Sequence, residues 1–257
     1  MKIKFEKYES GGNDFVLIDN RNNLYDLNSD KIKKICDRNF GIGSDGLIIL
    51  KKSKIADFKM IYYNSNGQTS SLCGNGTRCL FSFSISLGII EKIAKIETSE
   101  GIYTATISNR NLVSLKMKNI YNIHLFDNKA YLNSGSPHHV EMIDDLNKIS
   151  VKNLGSSIRF SNRYSPNGTN VNFFNKINDK KFQIRTYERG VEDETLSCGT
   201  GATAVAIAVH AMGLTTQNEI IIKTKGGELI ISFETSKKGY KNIYLEGPTR
   251  FVFKGEY

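Results

Sequence analysis

The sequence predicts an α+β protein of two pseudo-symmetric homologous domains, each a curved, mostly antiparallel sheet around a central helix, with the active site in the cleft between them. Three observations carry that expectation. The 257-residue chain repeats itself at an offset of 125 residues, which sets CGNGTRC at Cys73 against CGTGATA at Cys198. In the same register, without gaps, Gly43, Gly74, Gly76, Gly88 and Gly101 meet Gly168, Gly199, Gly201, Gly213 and Gly226. Glycines kept in step imply turns kept in step. Each half also reads as a strand, a cysteine–glycine turn, a helix and a strand pair.

In the first half the strand is Phe58 to Tyr63, the helix Thr77 to Leu87, and the β-rich stretch Lys95 through Ile107. Their counterparts are Phe182 to Tyr187, Ala202 to Met212, and Glu219 through Phe233. Alternating β-branched, aromatic and aliphatic residues in IYTATI, LVSLKM and NIYLEG mark further strands. The C-terminal FVFKGEY reads as a strand returning to the first domain. The expected domains are therefore 1–119 plus 248–257, containing Cys73, and 120–247, containing Cys198.

A net charge of +9 first suggests an anionic macromolecular partner. Its composition argues otherwise. Lysine supplies 26 of the 35 basic residues and arginine 9, while Asn (25) and Ile (30) are equally abundant, the pattern of AT-rich codon usage. No block of five or six basic residues, zinc-finger spacing or RNA-binding aromatic signature accompanies it, so no nucleic-acid partner is expected. The N-terminal MKIKFEKYESGGNDF lacks the apolar run of a signal peptide. The longest apolar stretch, Ala202 to Leu214, is too short to span a bilayer and is interrupted by Thr203 and His210. These features predict a cytoplasmic protein without a membrane partner, in which Cys36, Cys73, Cys79 and Cys198 are buried or reactive thiols rather than bridges.

The motif Cys-Gly-x-Gly puts a thiol on a tight turn ahead of a helix whose first N–H groups lack intrahelical acceptors. That end of a helix stabilises an anion, which favours a thiolate and can hold a carboxylate. One such cysteine is most often a packed core residue. Two at duplicated positions, set facing by the pseudo-symmetry, suit a different chemistry: inverting a stereocentre needs a base on one face of a carbon and an acid on the other. A metal site is the weaker reading, since the chain has no C-x-x-C and Cys73-x5-Cys79 is not a usual zinc pair. Cys36 and Cys79 fall on helical patterns and read as core.

The blocks SGGNDF (10–15), DRNFGIGSDGL (37–47), YYNSNG (62–67), LCGNGTRC (72–79), GSPHHV (135–140), TNVNF (169–173) and TYERGVEDETLSCGTGATA (186–204) together resemble diaminopimelate epimerase, in family order. The resemblance implies a pyridoxal-independent isomerase without cofactor or metal. Its small-molecule substrate would be LL- or meso-diaminopimelate, on the route to lysine and peptidoglycan precursors, and the family tends toward homodimers.

Carried over by motif, Cys73 and Cys198 correspond to the family's two acid/base cysteines, Cys73 being the base toward the LL form. His138 and Glu188 correspond to the pair that tunes those thiols, and the repeat sets them opposite Asn13 and Tyr63. A neutral histidine there could accept a thiol proton. Substrate contacts fall on Asn13, Asn64, Gly74, Asn75, Asn170, Glu188, Arg189, Gly199 and Thr200. Arg189, whose fork suits a carboxylate, is expected to hold the distal one, with Asn64 and Asn170 reading the distal groups through their amides.

Three positions depart from the family pattern: Ser136 where many members have Asn, Gly46 where many have a substrate-contacting Gln, and Asn66 where Asp is common. Phe253 stands where some relatives place a dimer-contact Tyr. Two other readings remain open on the residues. One is a two-cysteine isomerase like proline racemase or hydroxyproline epimerase, against which Arg189 argues; the other is a non-catalytic ligand-binding or thiol redox-sensing homologue.

Overall fold

A computed structural model describes residues 2–69 and 73–257. The chain divides into two compact units, one comprising the residues up to Leu115 together with Gly247–Tyr257, the other Lys116–Glu246.

In the first unit β1 (Lys4–Ser10) and β2 (Asn13–Asp19) form a hairpin. α1 (Ser29–Cys36), N-capped by Asn28, crosses to β3 (Gly46–Lys51), which lies parallel to β2. β4 (Phe58–Asn64) is antiparallel to β3. A second crossover, α2 (Gly74–Ser86), leads to β5 (Ile93–Thr98), parallel to β4, and β6 (Gly101–Ile107) and β7 (Val113–Lys116) follow antiparallel.

The second unit repeats the plan. β8 (Ile123–Phe126), β9 (Lys129–Asn133) and β10 (Pro137–Met142) are antiparallel neighbours, and α3 (Val151–Arg159) crosses to β11 (Asn170–Asn178), parallel to β10. β12 (Lys181–Glu188) pairs antiparallel with β11 and carries the short β13 (Asp193–Thr195). α4 (Gly199–Ala211) crosses to β14 (Glu219–Thr224), parallel to β12, before β15 (Gly227–Ser236) and β16 (Gly239–Gly247). The final strand, β17 (Arg250–Glu256), pairs antiparallel with β1 in the first unit.

Both units are α+β, and their sheets share one strand sequence. The order β17-β1-β2-β3-β4-β5-β6-β7 matches β8-β9-β10-β11-β12-β14-β15-β16, each with parallel steps only at its third and fifth junctions. β17 thus takes in the first unit the place of β8 in the second.

The repeat is not gapless, as its glycines had implied. The helices keep the 125-residue offset, and so do Cys73 and Cys198 as their N-caps. But Phe58 pairs with Ile96 and Phe182 with Ile222, offsets of 124 and 126 residues. Thr98 donates to the Gly101 carbonyl (2.8 Å) as Thr224 does to that of Gly227 (2.9 Å), so Gly101 corresponds to Gly227 and not Gly226. Leu47 lies opposite Tyr63 and Val171 opposite Tyr187, while Phe15 lies opposite Gly46 and His138 opposite Asn170. Glu188 therefore takes the place of Asn64 rather than Tyr63, and His138 that of Phe15 rather than Asn13. Loops absorb single-residue changes that a strand or helix cannot.

Burial explains the two kinds of helix. α1 is amphipathic and buries Ile32, Ile35 and Cys36 against Val16, Ile18, Leu47 and Ile49 on one face of the sheet. α2 and α4 are buried on nearly every side, through residues 74–81 and 201–209, because the sheet curves around them. β2 and β3 lie between an outer and a central helix, hence their unbroken apolar runs FVLI and LIIL. Among the described residues no helix is long and apolar enough to cross a membrane.

Candidate active site

The topology gathers the singled-out residues at one end of each sheet. In the first unit β2 begins at Asn13, β3 begins at Gly46, β4 ends at Asn64, and Cys73 caps the helix that follows. In the second, β10 begins at Pro137, β11 begins at Asn170, β12 ends at Glu188, and Cys198 caps α4.

The two cysteines have nearly the same local geometry. Cys73 (φ −107°, ψ 111°) accepts from the Gly76 N–H at 3.4 Å, and Cys198 (φ −126°, ψ 111°) from the Gly201 N–H at 3.4 Å. Each sulfur thus replaces the oxygen of an ordinary N-cap, at the positive end of a helix dipole. The second glycine of each motif is a matter of space. A Cβ on Gly76 would stand 2.8 Å from Ile48 Cδ1, and one on Gly201 would strike Asn172 Oδ1. All four cysteines are free thiols. Burial raises the pKa of Cys36 and Cys79, which keeps both as neutral core residues.

Around Cys73 the polar groups are ordered by charge. Cys73 Sγ lies 3.7 Å from Asn13 Oδ1, to which Asn75 Nδ2 also donates at 3.5 Å. Asn13 Nδ2 donates to Asp45 Oδ2 at 2.6 Å, and Asp45 is held by Arg38 at 2.8 Å. Arg38 also pairs with Asp14 (2.7 Å), as does Lys7 (2.7 Å). Burial pushes Asp14 up, but the Arg38 and Lys7 hydrogen bonds outweigh it and hold the carboxyl below its usual range. Arg78, fully buried on α2, donates to Ser10 Oγ and Asn75 Oδ1, both at 2.8 Å. Asn64 closes β4, its carbonyl accepting from the Gly67 N–H at 2.9 Å. Gly46 has no room for a side chain: a Cβ would stand 2.6 Å from the Tyr62 ring and 2.6 Å from the Tyr63 carbonyl.

Around Cys198 the hydrogen-bonded groups are neutral. Its sulfur lies 3.5 Å from Thr200 Oγ1, which lies 3.0 Å from His138 Nε2, and Ser136 Oγ lies 3.0 Å from the same nitrogen. Asn172 Nδ2 faces His138 Nδ1 at 3.0 Å. Burial, aided by the charge of Arg189, pushes His138 down to about 3, so it is neutral at physiological pH. Asn170 Nδ2 donates to Ser136 Oγ (2.8 Å) and the Pro137 carbonyl (3.0 Å), which leaves Oδ1 for the Arg189 N–H (2.9 Å). The Arg189 guanidinium donates to the Asn167 carbonyl at 3.2 Å, and Glu188 is half-buried beside it.

Within the second unit the structure thus brings His138, Asn170, Arg189, Cys198 and Thr200 into one network, with Ser136 filling the position of its departure. Within the first it connects Asn13, Asn75 and Cys73. Sequence reasoning missed Ser10, Asp45, Arg78 and Asn172. Arg78 was visible as the one charged residue of GNGTRCLFSFSIS, and Asn172 as the second Asn on the same face of TNVNF.

The chain matches the family described as Diaminopimelate epimerase over residues 5–121 and 130–252. A diaminopimelate epimerase of Flavobacterium psychrophilum is 49% identical over 253 residues, covering 98% of this chain and 99% of the relative. Among solved structures, a Bacillus anthracis phenazine biosynthesis protein of the PhzF family superposes with a TM-score of 0.78 at 15% identity, covering 100% and 99% of the two chains. A probable proline racemase from Agrobacterium radiobacter K84 does so with a TM-score of 0.72 at 14% identity, covering 99% and 92%. These two likenesses concern the fold. An identity of 49% over nearly the full length and a match that spans both halves lead to one conclusion: the chain belongs to the diaminopimelate epimerase family.

Proposed function

We propose that this protein interconverts LL- and meso-diaminopimelate by proton transfer at the α-carbon, with Cys73 and Cys198 as its acid/base pair. The observation that carries the reading is the duplicated placement of a thiol as helix N-cap. In one direction the Cys73 thiolate removes the α-proton and becomes a thiol, while Cys198 donates its proton to the opposite face of the carbanion and becomes the thiolate. The return reaction exchanges the roles. Helix N-termini at Gly74–Asn75 and Gly199–Thr200 favour the α-carboxylate and the charge it gains as the carbanion forms. Arg189 takes the distal carboxylate, and Asn13, Asn64, Asn170 and Glu188 the remaining polar groups, with His138 and Glu188 tuning the thiols. The α-proton is weakly acidic, so the site must exclude water at the moment of transfer.

We further infer a cytoplasmic enzyme, where reducing conditions keep both thiols free, and a homodimer formed through the exposed Phe251, Val252 and Phe253 of β17. The test is an assay with LL-diaminopimelate in deuterium oxide. The meso form should appear with deuterium at the α-carbon, and Cys73→Ala or Cys198→Ala should abolish turnover. Wild-type rates in either variant would sink the mechanism, and turnover of free proline with none of diaminopimelate would sink the substrate.

A further inference from the structure

The feature that the reaction above leaves unused is the buried cation behind Cys73. Arg78 is 0% exposed, and its charge is not paired with any carboxylate among the described residues. Both of its hydrogen bonds leave from Nη2 and end on neutral oxygens, Ser10 Oγ and Asn75 Oδ1. Nε and Nη1 are buried without a partner among the described residues. The side chain reaches back along α2 to Asn75 in the first turn, so the guanidinium reinforces the positive end of the helix dipole instead of offsetting it. A buried, unpaired cation at that place is expensive unless an anion is meant to form nearby.

We propose that Arg78 is a positioning residue for Cys73: its guanidinium orients the Asn75–Asn13 pair against the sulfur and supplies the counter-charge of the Cys73 thiolate. This rests on the reading of Cys73 as an acid/base residue. A guanidinium only donates, so Asn75 must turn Oδ1 toward Arg78 and Nδ2 toward Asn13. A carboxylate only accepts, so Asn13 must turn Nδ2 toward Asp45, leaving Oδ1 to accept from the Cys73 thiol in its neutral form, while the Gly76 N–H and the Arg78 charge serve the thiolate. Arg78 and Asp45 thereby fix both amides from opposite ends. Burial lowers the Arg78 pKa to about 10, and the group stays protonated at neutral pH.

The other charges near Cys73 are committed elsewhere. Glu9 on β1 pairs with Arg250 (3.0 Å) and accepts from the Gly12 N–H (3.0 Å). Asp45 and Asp14 are paired with Arg38, and Asp14 also with Lys7. Cys79, the remaining titratable group of α2, is held neutral by burial. In the second unit the position equivalent to Arg78 is Thr203, which donates to the Gly199 carbonyl at 3.0 Å. There the groups near Cys198 are Thr200, the neutral His138 and the half-buried Arg189 and Glu188. The two thiols therefore differ in their local fields, and Cys73 is the one placed to ionise first.

The test is the pH dependence of iodoacetamide alkylation, read separately for the Cys73 and Cys198 peptides by mass spectrometry. In the wild-type protein Cys73 should titrate below Cys198; the reverse order overturns the proposal without any variant. Arg78→Met should raise the Cys73 midpoint by about one unit or more, roughly a tenfold slower alkylation at neutral pH, and leave Cys198 unchanged. Arg78→Lys, which keeps the charge, should hold the midpoint near wild type. If methionine is not tolerated, Arg78→Gln gives the same reading with a neutral donor. An unshifted Cys73 in a folded neutral variant, or equal shifts at both cysteines, overturns the proposal. Alkylation does not depend on turnover, so a failure of the acid/base reading of Cys73 would appear separately, as full activity in Cys73→Ala.

Discussion

Asn172 Nδ2 lies 3.0 Å from His138 Nδ1, and this contact fixes the proton of the imidazole on the other nitrogen. The Asn172 amide cannot be turned around, because Nδ2 also donates to the His139 carbonyl (3.0 Å) and Oδ1 accepts from Thr186 Oγ1 (3.0 Å). His138 Nδ1 is therefore an acceptor, and Nε2–H donates toward Ser136 and Thr200. Within its own unit the imidazole has no nitrogen left to accept a thiol proton, and its influence on Cys198 passes through the Thr200 hydroxyl.

Replacing Asn172 with Asp exchanges that donor for an acceptor. Asn172→Asp should move the imidazole proton to Nδ1, raise the His138 pKa and cut turnover by about tenfold or more. Nitrogen NMR of the imidazole distinguishes the two tautomers; an unchanged Nε2–H form in the variant would contradict the assignment.

The depressed pKa of His138 also shapes stability. Above its ordinary value of 6.5 the ring is neutral in both folded and unfolded chains. Between 6.5 and about 3 only the unfolded chain takes up the proton, so stability falls as pH falls through that window. Comparing urea unfolding at about pH 7 and about pH 5, the wild type should lose roughly 2 kcal/mol more than His138→Gln. An equal loss in both proteins would mean that the ring is protonated in the fold.

The two motif glycines should differ in tolerance. A methyl group on Gly76 meets the movable end of Ile48, whereas one on Gly201 meets an Asn172 amide locked by three hydrogen bonds, with Cys198 Sγ 3.3 Å away. Gly76→Ala should cost about 1 kcal/mol and Gly201→Ala about 2–3 kcal/mol, the latter with loss of activity. Denaturant midpoints and initial rates check the order.

Installing a glutamine at position 46 should fail here. The Tyr62 ring, itself packed edge-to-face on Phe15 at 6.0 Å, occupies the space a glutamine would need. Gly46→Gln should destabilise by about 2 kcal/mol or more, with part recovered in Gly46→Gln/Tyr62→Ala. Thermal unfolding of the two variants measures it.

Why some of this was legible in the sequence follows from the residues. The Cys73 and Cys198 turns were readable because only glycine fits beneath Ile48 and Asn172, so spacing recorded a contact. The central helices and alternating strands were readable through burial pattern. The register of the repeat was not, because strand pairing is set by long-range contacts such as Phe58–Ile96 and Phe182–Ile222, while loops shift by one residue without leaving a mark. Arg78 and Asn172 were missed because a buried polar group is recognised by its partners, and those lie 68 and 34 residues away, at Ser10 and His138.

Arg189 carries the sharpest question of specificity. Its backbone N–H is anchored on Asn170 Oδ1, and Asn170 is itself anchored on Ser136 and Pro137, so the turn that presents the guanidinium is fixed to the start of β10. Among the described residues only Nη1 is engaged, with the Asn167 carbonyl, which leaves a planar fork of donors suited to a carboxylate. Lysine keeps the charge but not the fork. If the distal carboxylate binds here, Arg189→Lys should raise KM for diaminopimelate by about tenfold or more while kcat falls less, because the contact is made equally in the ground and transition states. Asn170→Ala should raise KM in the same direction by releasing the turn. A variant that loses kcat with KM unchanged would instead place Arg189 at the reacting carbon, and the distal carboxylate would need another partner.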